Sequence, residues 1–130
     1  MAAINFKVEL KSSGLLSSPL NLFAADTIVA TGVVAKAAKL ITAVNGSSVT
    51  LFAKADFTDT DDQAIVFIKN TGSTYDLFVE AGSNVEFIKL KPGQFAVFPW
   101  YTDNSDGQDI KVYASNASGT NVDATLIEIT

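Results

Sequence analysis

The residues that could do chemistry in this chain are carboxylates, and half of the fourteen stand in two stretches. Asp56, Asp59, Asp61 and Asp62 fall within seven residues, and Asp103, Asp106 and Asp109 within another seven. Such clusters invite a calcium reading, since hard cations take several carboxylate and carbonyl oxygens. The spacing does not fit an EF-hand. With Asp106 and Gly107 at the fifth and sixth loop positions, Thr102 falls at the first and Tyr113 at the twelfth, where acids are required. The plain alternative is a pair of solvated turns, because Asp and Asn bond to their own backbone there. No metal or cofactor is expected. A glycosidase would need two acids across a bond, one of them with a raised pKa. Glu80 and Glu86 lie in strand-like segments but alternate outward from apolar neighbours, which predicts a wet sheet face.

Composition narrows the chemistry further. The 130 residues include no Cys and no His, which excludes disulfides, thiol nucleophiles and imidazole bases. All nine basic residues are Lys, so the bidentate guanidinium fork that grips phosphates and guanine edges is missing. A net charge of −5 has the wrong sign for the backbone of a nucleic acid. The expectation is a non-enzyme that does not bind nucleic acid.

A second candidate is the segment LKPGQFAVFPWY, Leu90 to Tyr101. Side chains alternate across a strand, so Phe95, Val97 and Tyr101 point one way while Phe98 and Trp100 point the other. Both faces are apolar. A sandwich strand has one inner face, so these five residues are the candidate subunit or partner interface. Covering the second face with protein is worth roughly 1.5–3 kcal/mol per large side chain. The rival is a glycan-binding surface, because aromatic platforms stack on sugar rings. The overall balance favours assembly: 18% of residues are charged, against roughly 25% in ordinary domains, and mean hydropathy is positive.

The elements that would carry these residues are strands. AIVFIK, YDLFVE, VEFIKL, QFAVFPW, IKVYA and ATLIEI are rich in β-branched and aromatic residues. Turn signals separate them at NTGS, AGSN, KPG, DNSDGQ and NASGTN. Asn45-Gly46 predicts a type I′ hairpin, and Lys91-Pro92-Gly93-Gln94 a type II turn closing a hairpin between VEFIKL and QFAVFPW. Residues 27–44 also fit helical spacing, although Gly32, the threonines and the Asn-Gly turn favour strands. The predicted architecture is all-β, a single antiparallel β-sandwich of jelly-roll type over residues 1–130. Residues 1–19 could form an N-terminal arm on a neighbour or an ordinary connection. The start, MAAINFKVELKSSG, alternates instead of running apolar as a secretory leader would, and no stretch approaches the roughly 20 apolar residues of a membrane helix.

INFKVEL, VFIKNTGSTYDLFVE and LKPGQFAVFPW resemble segments of small virion structural proteins of tailed bacteriophages, and in style the β-sandwich decoration, or cement, proteins of capsids. The resemblance implies a homo-oligomer, a trimer by preference, on the outer capsid surface. The major capsid protein or another virion protein would be its partner, with assembly in the host cytoplasm and neither catalysis nor membrane involved. A tail, neck or fibre component fits the resemblance equally, and a carbohydrate-binding module for host attachment is the alternative of a different class.

Overall fold

A computed structural model describes residues 3–14, 20–30, 34–56, 62–82, 84–102 and 108–129. The chain divides into two compact units, Met1–Thr31 and Gly32–Thr130. The first is a hairpin of β1 (Ala3–Ser12) and β2 (Leu20–Val29), paired antiparallel through all ten positions. The arm anticipated over residues 1–19 therefore belongs to a unit that also takes in LNLFAADTIV.

The second unit holds β3 (Val34–Ile41), β4 (Val49–Phe52), β5 (Asp62–Asn70), β6 (Leu77–Ala81), β7 (Glu86–Leu90), β8 (Phe95–Thr102), β9 (Ile110–Ala114) and β10 (Thr120–Ile129). They form two four-stranded sheets, ordered β3-β10-β5-β8 and β4-β9-β6-β7. The pairs β3/β10, β4/β9, β5/β8 and β6/β7 are nested and antiparallel, as though one long hairpin bent between β6 and β7 had been rolled into two layers. That is the strand order of an eight-stranded jelly roll. Strand, not helix, holds at 34–41, where both periodicities were present in the sequence.

Period-two alternation builds the core. Along β10, Val122, Ala124 and Leu126 are buried while Asn121 and Asp123 are exposed; along β5, Ala64, Val66 and Ile68 are buried. They meet Leu77, Val79, Ile110 and Val112 of the opposite sheet in one cluster. Each large side chain so covered contributes roughly 1.5–3 kcal/mol.

Two turn expectations need correcting. At 44–47 the backbone bond runs from Ser47 N to Val44 O, 2.9 Å, with φ of +84° at Gly46. Among the described non-glycine residues only Asn84 has positive φ, so Asn45 lies outside the left-handed region, as in a type II turn and unlike type I′. The flanking strands lie in different sheets, so no hairpin forms there. The turn at 91–94 is of the expected type, with Gln94 N to Lys91 O at 2.9 Å and φ of +81° at Gly93. It too passes the chain from one sheet to the other, because β7 and β8 occupy different layers. Within the sandwich the sequence-adjacent strands that pair are β6 and β7, closed by Ala81 N to Val85 O at 3.0 Å.

Candidate functional site, an uncovered apolar sheet face

Edge strand β8 pairs with β5 from Asp62/Thr102 to Lys69/Phe95, and this register fixes what each of its residues faces. Trp100, 8% exposed, and Phe98 turn inward; Trp100 belongs to the core cluster, Phe98 packs against it, and Phe98 also meets the edge of Phe87 with ring centroids 5.5 Å apart. Phe95 and Tyr101 turn outward at 63% and 52% exposure, with half-buried Val97 between them. Trp100 is thus not available as a platform for a sugar ring. The outward set comprises Phe95, Val97 and Tyr101.

Those three are the rim of a wider surface. The registers set Val34, Ile127, Ile65 and Pro99 side by side across all four strands. The next row is Lys36, Thr125, Phe67 and Val97, and beyond it lie Asp123, Lys69 and Phe95; on the other side are Ile129, Gln63 and Tyr101. Phe67 and Phe95 stack with centroids 6.0 Å apart. A sandwich sheet normally alternates apolar-in and polar-out. Here four of the nine outward positions of the two central strands, Ile65, Phe67, Ile127 and Ile129, are apolar and only half covered. The contributions of β3, β5 and β10 were missed in the sequence, although AIVFIK and ATLIEI carry the both-faces-apolar signal that singled out LKPGQFAVFPWY. An apolar surface of this kind marks a site of contact, with protein, membrane or ligand.

The opposite sheet presents a different arrangement. Phe78 of β6 and Tyr113 of β9 are cross-strand neighbours stacked at 4.7 Å, with Lys89 Nζ 5.4 Å over the Phe78 ring. The Tyr113 hydroxyl donates a hydrogen bond to Glu86 Oε1. Glu80 pairs with both Lys111 and Glu86 in register and is only 1% exposed, with no hydrogen-bond partner on Oε2. The wet face expected around Glu80 is therefore not present: on central strand β6 its carboxylate lies beside the stacked rings and a second carboxylate. Burial, the bond to Glu86 and the nearby charges of Glu86 and Glu80 push the Tyr113 phenol up to about 12. Because the folded state holds this proton more tightly than an unfolded chain ionising near 10.0, stability should fall as pH rises from about 10 to about 12. Alkaline denaturation followed by circular dichroism checks this. The Tyr113→Phe variant should lose that part of the pH dependence.

Of the acidic loops, 57–61 and 103–107 lie outside the described residues. Asp109 spends one carboxylate oxygen as acceptor for Lys54 N at 3.0 Å, a turn-stabilising role. Among the described residues no group of three or more Asp or Glu side chains gathers to hold a metal ion.

Fold and surface together define an antiparallel β-sandwich of jelly-roll order with an apolar outer face. Comparison with known proteins gives no match to this chain, whether by family model, by curated protein or by solved structure.

Proposed function

We propose that this protein is a virion structural component, a capsid decoration protein of a tailed bacteriophage that docks as a homotrimer and clamps neighbouring capsid subunits. The observation that carries this reading is the apolar row Val34, Ile127, Ile65 and Pro99, flanked by Phe67, Val97 and Tyr101, on the outer side of a complete sandwich. The core is already closed by the inner faces, so this second apolar surface is not needed to close the sandwich. It gains when protein removes it from water. The likeness of INFKVEL, VFIKNTGSTYDLFVE and LKPGQFAVFPW to phage structural proteins supplies the setting.

A decoration protein works by mass action. Anything that binds the assembled shell and not its parts stabilises it by RT ln(1 + [L]/Kd), and repetition over many sites multiplies the effect. No bond is made or broken. Sedimentation of the purified protein at micromolar concentration should give a trimer, and co-sedimentation should place it on expanded capsids. A stable monomer that also fails to bind such capsids would overturn the reading.

A further inference from the structure

The first unit has an exposed apolar face of its own. In register, Val8 stands opposite Ala24 and Leu10 opposite Leu22, on the same face as Ile4; Leu10 and Leu22 are 54% and 55% exposed. The other face is mixed: Lys7 and Lys11 flank Glu9 at 3.6 and 2.5 Å, and Lys7 Nζ lies 5.3 Å over the exposed ring of Phe23, which stands opposite Glu9. A two-stranded hairpin is at best marginally stable in water and needs a surface under its apolar face. We propose that this surface is the outer face of the β3-β10-β5-β8 sheet of a second copy, so that the hairpin of each copy forms a third layer on the sandwich of another. The inference rests on the self-assembly proposed above and names the surfaces that make it.

Three features match. Sheets stack about 10 Å apart with strand directions within about 30°, so a ribbon ten residues long, roughly 34 Å, can lie along strands eight to ten residues long. The charge on the hairpin's apolar face is Asp26, while the sheet face offers Lys36, which has Thr125 rather than an acid opposite it. Area then sets the geometry. A two-stranded ribbon is roughly 10 Å wide, so a single contact takes roughly 300 Å² from each partner, less than the ~1,000 Å² total that a specific interface needs. The contact must recur, as it does when every copy both gives and receives a hairpin in a closed ring.

Because the chain contains no cysteine, introduced ones report proximity cleanly. Chains carrying Leu22→Cys and chains of distinguishable mass carrying Val97→Cys are mixed after dissociation, reassembled and oxidised. The expected product is a disulfide between the two kinds of chain, exceeding either self-linked product at least tenfold. A second variant, Leu10→Asp with Leu22→Asp, should raise the dissociation constant of the oligomer at least 100-fold while the melting of the sandwich unit stays unchanged. If the wild-type protein assembles but neither effect is seen, hairpin exchange is wrong and the assembly reading stands. A monomeric wild type overturns hairpin exchange, and one that also fails to bind expanded capsids overturns the function proposed above. An intrachain disulfide in the doubly substituted chain at high dilution also overturns exchange, since the copy would then cover itself.

Discussion

Replacing Asn70 with alanine is expected to destabilise the sandwich by about 3–5 kcal/mol, read as a lowered guanidinium midpoint at unchanged slope. The side chain is fully buried at the end of β5 and makes four hydrogen bonds. Its Nδ2 donates to Tyr75 O and to Leu90 O, each at 2.9 Å, and its Oδ1 accepts from Gly72 N at 3.1 Å and Thr120 Oγ1 at 2.7 Å. Its backbone joins the same junction, with Asn70 N donating to Gln94 O and Gly93 N donating to Asn70 O. One residue therefore ties the end of β5 to the following loop, the end of β7 and the start of β10 through its side chain, and to the turn into β8 through its backbone. Truncation leaves several buried groups without partners at roughly 1–3 kcal/mol each, partly offset by local relaxation. Asn70→Asp tests whether hydrogen bonding or volume matters, because it keeps the size and one acceptor but points a second acceptor at two carbonyl oxygens. It should be at least as damaging as alanine. A loss below about 1 kcal/mol for both would mean that water replaces the amide and that the junction is not held as described.

Asn70 also shows where local sequence signals stop. NTGS is legible as a turn because its residue types favour one, and KPG is legible down to the turn type because proline fixes φ and glycine supplies its positive value. What those residues do not encode is the destination of the chain. After a type II turn the next strand can pair with the last one or start the facing sheet, and the apolar alternation of both strands is the same in either case. The choice is made by nonlocal pairing: β8 finds β5 and β3 finds β10, each far away in sequence. For that reason the all-β sandwich could be read from the chain while two of its expected hairpins could not.

The candidate surface divides along the same line. That β8 is apolar on both faces follows from composition at alternate positions, so Phe95, Val97 and Tyr101 are separable from Phe98 and Trp100 before any coordinates exist. That they belong with Val34, Ile65 and Ile127 depends on register, which appears only once four strands are aligned. The buried carboxylate of Glu80 was hidden for a related reason. Alternation assigns it to the outer side correctly, but the stacked Phe78 and Tyr113 rings that line that side come from two strands far apart in the sequence. The pairing of β1 with β2 was equally obscure, because LNLFAADTIV breaks the alternation that INFKVEL keeps.

Two adjacent residues give the sharpest test of the division between the faces. Trp100→Ala is expected to cost about 3–5 kcal/mol of folding stability, the usual range when a large buried ring leaves a cavity that its surroundings fill only in part. Tyr101→Ala, one residue on, removes a ring that is half exposed on the other face and should change the stability of the dissociated monomer by less than about 1 kcal/mol. Its effect should fall on assembly, raising the dissociation constant of the oligomer about tenfold or more, with Phe95→Ala behaving alike. Both quantities must be measured apart, because association itself adds to apparent stability. Denaturation is therefore followed below the dissociation concentration, and self-association by sedimentation at several loadings without denaturant. The proposal requires the two substitutions to act on different equilibria: alternation sends Trp100 into the molecule's own core and Tyr101 toward another copy. Should Tyr101→Ala unfold the monomer as readily as Trp100→Ala, or leave association untouched together with Phe95→Ala, the outer face would have to be explained by something other than contact between subunits.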